Sequence, residues 1–292
     1  MKTVELDRAE RRPRRLAVGE FDGVHLGHQA VIADCDSVLT FEPHPRAVVG
    51  PRGAPPLLTT LPQKIDALEA FGVEELVIAP FNEAFSRMSP EEFIGSVLVD
   101  RLAATRVSVG ANFRFGAKAA GDAAMLMDDD RFEARVVEIV GSELGGVSSS
   151  RIRELIALGD VEAAETLLTR PFEMRGTVVH GEKRGRELGY PTANIEPDPK
   201  CATPPNGIYA CLANGRPAVA SLGVRPTFES KGRLLLEVHL LDFAGDLYGL
   251  EMKVDLIRRL RGELAFESAD ELIAQMALDC DDAAAACSVH GS

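Results

Sequence analysis

In the first half of the chain the apolar positions fall into short runs separated by stretches with helical start signals. Leu16-Ala17-Val18, Val38-Leu39-Thr40-Phe41, Leu76-Val77-Ile78-Ala79, Val107-Ser108-Val109 and Arg135 to Val140 read as strands. Between them, Thr60-Leu61-Pro62-Gln63 and Ser89-Pro90-Glu91-Glu92 have the form of a capping box. In each, Thr or Ser stands at the cap and Gln or Glu three residues later, and Pro90 falls where a missing N–H costs nothing. Strand–helix alternation sustained over about 150 residues predicts a doubly wound α/β domain with helices on both faces of a parallel sheet. Ligands of such sheets bind beyond the carboxyl ends of the strands.

A helical stretch is expected from Ser149 to about Leu168, leading to Thr169-Arg170-Pro171. Beyond it the pattern changes. Asn214-Gly215 between Ile208–Leu212 and Ala218-Val219-Ala220 signals a hairpin. Leu250 to Leu256 alternates strictly, and Leu234 to Leu241 is a further strand, with the turn-like Ala244-Gly245-Asp246 between them. Short strands with turns between them predict a small antiparallel barrel. Ser268-Ala269-Asp270-Glu271 opens a closing helix, and the Asp- and Ala-rich tail from Cys280 is expected to fray. The predicted domains are residues 1–170 and 171–292.

Composition narrows the class of protein. The 292 residues are 46% apolar and 26% charged, as in an ordinary globular protein, and no run approaches the roughly 18 apolar residues of a membrane span. The first fifteen residues lack the apolar core of a secretory signal. A net charge of −13 argues against nucleic acid or an anionic membrane as partner, while leaving room for a local cationic pocket. Five cysteines, odd in number and without zinc-knuckle or redox-pair spacing, fit a cytoplasmic protein. No oligomeric state follows from the sequence.

Gly19-Glu20-Phe21-Asp22-Gly23-Val24-His25-Leu26-Gly27-His28 carries the most specific chemistry of the first domain. A strand ends at Val18, glycines permit a tight turn, and a helix can begin near Leu26. His25 and His28, three apart, can then project from one face of its first turn, where free N–H groups attract phosphate. Gly27 would let a nucleotide rest against the backbone. A zinc pair or a structural pair of histidines are the alternatives.

This motif resembles the signature of the nucleotidylyltransferase superfamily, in the form found in prokaryotic bifunctional riboflavin kinase/FAD synthetases. Thr40-Phe41-Glu42-Pro43-His44-Pro45, Gly110-Ala111-Asn112-Phe113-Arg114-Phe115-Gly116 and Val147-Ser148-Ser149-Ser150-Arg151-Ile152-Arg153 agree with that family in order and spacing. The resemblance runs from about Leu16 to Asp279. It implies a Rossmann-like domain that transfers AMP from ATP to FMN, giving FAD and pyrophosphate. His25 and His28 would act on the ATP phosphates, with Gly19, Phe21, Asp22 and Gly27 in the same nucleotide-binding turn. Ser149, Ser150 and Arg153 would meet the leaving pyrophosphate, and His44 and Asn112 the flavin nucleotide. Read from the residues alone, Ser149 and Ser150 could equally be helix caps, though Arg151 and Arg153 favour an anion. The sequence departs from the family at two places. Glu20 puts an acid beside the expected phosphate site. Eleven residues separate His28 from Thr40, so Gln29 to Ala33 can supply little more than one helical turn where the family has a full helix. These departures motivate an alternative, a riboflavin kinase whose adenylyltransferase domain is weakened or inactive.

In the second domain, Gly181-Glu182-Lys183-Arg184-Gly185-Arg186-Glu187-Leu188-Gly189-Tyr190-Pro191-Thr192-Ala193-Asn194 combines glycines and cations with two neutral oxygen donors. Gly181 and Gly185 suit a loop over phosphates, and Thr192 and Asn194 suit hydrated Mg2+. A basic surface turn is the alternative for Lys183-Arg184. The stretch resembles the riboflavin kinase signature, as do Ser221 to Phe228 and Leu240 to Gly249. Glu237 lies in an apolar strand, sharing a face with Leu235, His239 and Leu241. An acid so placed is either ion-paired or functional. The resemblance makes it the general base that deprotonates the riboflavin 5′-hydroxyl. Phe228 and Tyr248 could flank a flavin or belong to the core.

Overall fold

The computed structural model describes residues 1–51, 53–138, 140–142, 145–181, 189–225 and 233–290. Contacts divide the chain into two compact units, Met1–Arg151 and Ile152–Ser292.

The first unit is built on a six-stranded sheet. Its strands are β1 (Lys2–Glu5), β2 (Arg14–Val18), β3 (Ser37–Glu42), β4 (Glu75–Pro80), β5 (Ala104–Gly110) and β6 (Glu133–Val137). Their spatial order is β1-β4-β3-β2-β5-β6, and every neighbouring pair is parallel. Successive residues feed different cores, as a sheet covered on both faces requires. Leu16, Val18, Leu39 and Val77 join Phe93, Leu98 and Leu126 on one side; Ala17, Val38 and Leu76 join Val31, Ile32 and Leu68 on the other. Helix α1 (Leu26–Ile32) follows β2, and α2 (Leu61–Ala70) precedes β4. Both predicted capping boxes form, with the Gln63 side chain accepting from the Thr60 N–H at 2.8 Å and the Glu92 side chain from the Ser89 N–H at 2.9 Å.

The charged start of the chain is more ordered than its composition suggests. Lys2 to Glu5 extends the sheet by pairing with β4. Arg14, wholly buried, donates to the equally buried Glu75 at 2.7 Å. The carbonyls of Arg12, Leu102 and Glu10 accept from its Nη atoms, so the buried ion is hydrogen-bonded as well as paired.

The expected helical stretch from Ser149 consists of two helices, α3 (Ser149–Leu158) and α4 (Val161–Leu168). Gly159 adopts φ +81°, ending α3, and the Asp160 carboxylate caps α4 by accepting from the Ala163 N–H at 3.1 Å.

The second unit contains a closed antiparallel barrel. Its strands are β7 (Phe172–Val179), β8 (Ala193–Ile195), β9 (Gly207–Ala213), β10 (Arg216–Arg225), β11 (Arg233–Leu240) and β12 (Glu251–Arg261). They close in the order β7-β8-β11-β10-β9-β12. The Asn214-Gly215 hairpin joins β9 to β10 with both residues at positive φ, +48° and +78°, the geometry of a type I′ turn. The tail does not fray. Helix α5 runs from Ala269 to His290, because Ala283, Ala286 and Cys287 present a narrow face that packs closely on Ala210 and Ile257 of the barrel. His290 Nε2 meets the Glu165 carboxylate of α4 at 2.7 Å and fixes the helix end.

Candidate active sites

Strand β2 lies in the middle of the first sheet, with β3 on one side and β5 on the other. The connections leave in opposite directions there, which opens a crevice at the carboxyl ends of β2 and β5. A cavity of about 390 Å3 occupies it, with His25, Gly27, His28, Ala111, Asn112 and Ser149 among its lining residues. His25 is the N-cap of α1, and its Nδ1 accepts from the His28 N–H at 3.3 Å. The two imidazoles stack with centroids 3.6 Å apart, and Phe21 meets His28 edge-on at 5.3 Å. Gly27 suits this packing, since a Cβ there would stand 3.2 Å from His25 Cε1 and press on the ring. A zinc reading of the histidines finds no third ligand among the described residues.

The remaining residues of the turn brace it. Phe21, at φ +52° and buried, folds its ring over Gly19, where a Cβ would stand 3.1 Å from the ring. The buried Asp22 carboxylate accepts from the N–H groups of Leu58 and Thr59 at 2.9 and 3.0 Å. Gly19, Phe21 and Asp22 therefore lie outside the cavity lining. Ser148 caps α3 by accepting from the Arg151 N–H at 3.2 Å, while the Ser149 hydroxyl donates to the Asp22 carbonyl at 2.8 Å and ties the helix start to the histidine turn. Ser150 is exposed, and Arg153 follows one turn along the helix in the second compact unit.

Glu20 is turned to a lysine. Lys64, 3% exposed, reaches the Glu20 carbonyl at 2.7 Å, its carboxylate at 3.4 Å and the Thr40 hydroxyl at 3.4 Å. Burial pushes the Glu20 carboxyl up to about 7, Lys64 opposes that rise and Asp22 adds to it. The acid is thus engaged away from the histidine cleft, whose lining does not include it.

A second cavity of this unit, about 610 Å3, went unforeseen in the sequence. Phe41, Phe81, Phe85, Phe93 and Phe115 line it, with Arg87, Arg114 and Lys118 also contributing. The phenyl rings contact one another in tilted and edge-on pairs at 5.4 to 6.5 Å. His44 sits beside this cavity in sequence, next to the lining residue Pro45, where its Nδ1 accepts from the Arg46 N–H at 3.1 Å.

In the barrel, Glu237 on β11 stands directly opposite Asn194 on β8 and Ser221 on β10. Opposed residues share a face of the sheet, and so do residues two apart, which puts Thr192 and His239 on that face as well. Glu237, Thr192, Ser221, His239 and Tyr190 line a cavity of about 370 Å3, completed by residues after β12 and by α5. His239 Nδ1 meets the Pro191 carbonyl at 2.9 Å and so holds the Pro191–Asn194 segment against β11. Thr192 also lines a second cavity of about 450 Å3, shared with Val178, Leu240, Phe243 and Tyr248. Tyr248 contacts His180 with ring centroids 4.0 Å apart. It belongs to this second cavity, away from the Glu237 lining.

Asn194 is 6% exposed, and its Oδ1 is buried with no hydrogen-bond partner among the described residues. Such an oxygen is an unused ligand. Gly181 lies against it, and a Cβ there would stand 2.3 Å from Asn194 Nδ2. Gly185 and the cationic run 182–188 lie outside the described residues, as does Phe228.

A histidine turn at the switch point of a parallel sheet, followed by a barrel with an acid and a threonine at adjoining cavities, defines a two-module enzyme of nucleotidyl and phosphoryl transfer. The FAD synthetase family model matches residues 7–151 and the riboflavin kinase model residues 168–287. The chain is 35% identical to the bifunctional riboflavin kinase/FMN adenylyltransferase of Bacillus subtilis over 97% of each chain. It is 38% identical to that of Pseudomonas fluorescens over 95% of this chain and 94% of the relative. The chain belongs to the family of bifunctional riboflavin kinase/FMN adenylyltransferases. A crystal structure described as a macrolide-efflux protein from Streptococcus pneumoniae is similar over 96% of this chain and 97% of its own, with a TM-score of 0.86 and 30% identity. The likeness is of fold and sequence, and no described helix here is long and apolar enough to cross a membrane.

Proposed function

We propose that this protein makes FMN and then FAD, with residues 171–292 phosphorylating riboflavin and residues 1–170 adenylylating FMN. The observation that carries the kinase assignment is Thr192, which lines both the Glu237 cavity and the neighbouring one. A transferred group must cross between acceptor and donor sites, and a neutral oxygen at their junction suits that passage. Riboflavin occupies the Glu237 cavity and ATP the other. Glu237 accepts the proton of the 5′-hydroxyl as its oxygen bonds to the γ-phosphorus and the bond to the β–γ bridging oxygen breaks, leaving ADP. Thr192 and Asn194 would hold Mg2+, a fit supported by the orphaned Asn194 Oδ1. When bound, the ion supplies charge neutralisation at the transferring phosphate.

In the first unit an FMN phosphate oxygen attacks the α-phosphorus of ATP, the α–β bridge breaks, and pyrophosphate leaves. The nucleophile is already an anion, so the protein's task is to hold two polyanions together. His25, His28, Gly27, Asn112 and Ser149 around one cleft support that role, and Gly19, Phe21 and Asp22 shape the turn; Ser150 and Arg153 are assigned to the leaving pyrophosphate by the family resemblance alone. The phenylalanine cavity suits the flavin ring, and His44 beside Pro45 suits its phosphate-bearing tail. Although α1 is short, it retains the turn that carries both histidines. Gly181 and Gly185 are assigned to binding the ATP phosphates of the kinase. The reactions run in the cytoplasm, where the five free cysteines stay reduced, and need no nucleic acid or membrane.

The test is incubation with riboflavin, ATP and Mg2+ and chromatography of the flavins. FMN and FAD together are expected; FMN alone would mean a silent adenylyltransferase, and unchanged riboflavin would refute the proposal.

A further inference from the structure

The Glu237 cavity owes much of its lining to the last strand and the last helix of the chain. Arg261 ends β12, and Leu264, Phe266, Leu272, Met276 and Asp279 follow it into α5. Asp279 is 4% exposed, yet it is a full bidentate partner: Arg261 Nε donates to Oδ1 at 2.9 Å and Nη2 to Oδ2 at 2.6 Å. Gln275 Nε2 donates to Oδ1 at 3.0 Å. Arg261 Nη1 donates to the Gly262 carbonyl at 3.0 Å, and the guanidinium lies 6.0 Å from the centre of the Phe266 ring. The arginine is thereby fixed in orientation as well as position.

A buried ion pair adds little to stability over a well-packed apolar pair, so its worth lies in the geometry it fixes. The cavity asks for such fixing. An acceptor with an alcohol tail and a planar ring meets Glu237 at its tail, and the apolar side chains after β12 are left for the ring. Those side chains stand on a connection and on a helix, elements that no strand register holds in place.

We infer that the Arg261–Asp279 pair is a positioning device for the acceptor: it clamps α5 and Phe266 to the end of β12 and so sets where the flavin ring lies relative to Glu237. The inference rests on the reading of this cavity as the riboflavin site. Arg261 and Asp279 act through Phe266 and α5 and take no part in proton transfer. Arg261→Lys retains the charge but loses the planar fork, so it should behave like Asp279→Asn.

The experiment compares the full-length protein with Asp279→Asn, Arg261→Lys and Glu237→Gln. It measures FMN formation, riboflavin binding by quenching of flavin fluorescence, the KM for ATP and thermal melting. Both clamp variants should raise the riboflavin KM and dissociation constant about tenfold or more, because a ring shifted by an ångström loses its fit. Their kcat at saturating riboflavin should also fall by about tenfold or more, because the 5′-hydroxyl is no longer held against Glu237, while their KM for ATP should stay within about twofold of wild type. A wild-type riboflavin KM in Arg261→Lys would overturn the inference, whether or not Asp279→Asn folds, and so would a raised KM at unchanged kcat, which marks binding lost without loss of alignment. If Glu237→Gln still makes FMN at the wild-type rate, the reading of the cavity itself fails. An inactive Glu237→Gln beside unaffected clamp variants refutes the positioning role alone.

Discussion

Gly181→Ala is a one-carbon change whose consequence can be worked from distances. The added Cβ would stand 2.3, 2.5 and 2.7 Å from Nδ2, Cγ and Oδ1 of Asn194. Ordinary contacts begin near 3.4 Å, so the amide must retreat by about an ångström. It cannot rotate freely, being 6% exposed on a short strand paired to β7 and β11. Overpacking of this kind costs about 1–3 kcal/mol of stability. A ligand misplaced by about 1 Å costs about a hundredfold in rate, or about 2.7 kcal/mol of barrier. FMN formation should therefore fall by about two orders of magnitude, while conversion of added FMN to FAD holds. Asn194→Ala should be nearly as impaired, and Gly181→Ala/Asn194→Ala no worse than Asn194→Ala, because both changes remove the same oxygen. Wild-type kinase activity in Gly181→Ala, or full additivity in the double variant, would refute the reasoning.

Other outcomes follow from the same geometry. Glu237→Gln should abolish FMN formation and spare FAD synthesis from added FMN, whereas His28→Ala should impair the second step alone; both are read by flavin chromatography, and equal loss of both steps in either variant counts against the division of labour. Glu20 titrates near 7 in the folded protein against its ordinary 4.5, so the folded state binds the proton more tightly and this group's contribution to stability falls as pH rises from 4.5 to 7. Over that window wild type should lose about 3 kcal/mol relative to Glu20→Gln, at about 1.4 kcal/mol per pH unit, in denaturant titrations; parallel profiles would show that Glu20 does not titrate there. Glu75→Gln should cost about 3–5 kcal/mol by leaving Arg14 buried without its counter-ion, seen as a lowered Tm.

What could be read from the sequence was what local chemistry decides. The capping boxes at Thr60 and Ser89, the Asn214-Gly215 hairpin and the strand alternation around Glu237 each specify themselves within a few residues. Features made by distant partners were hidden. Five phenylalanines spread from position 41 to 115 converge on one cavity. Lys64 finds Glu20 across 44 residues, and Asp279 finds Arg261 across 18. The Ala- and Asp-rich composition of the tail predicts fraying, whereas small side chains are what let α5 approach the barrel. Asp22 belongs to a sequence motif, but the bonds of its Oδ1 to the Leu58 and Thr59 N–H groups, 36 and 37 residues on, could not be read from it.

Asn194, Glu237 and Ser221 face one another across three strands in a single row. A pleated strand has a repeat of two, so inserting one residue before Glu237 in β11 would swing the acid inward and expose Leu236 in its stead. Two inserted residues would restore its facing but carry it about 7 Å along the ladder, past both neighbours. Length changes in this strand are therefore forbidden by odd and even numbers alike, and the module can vary its reach only through the turns at either end.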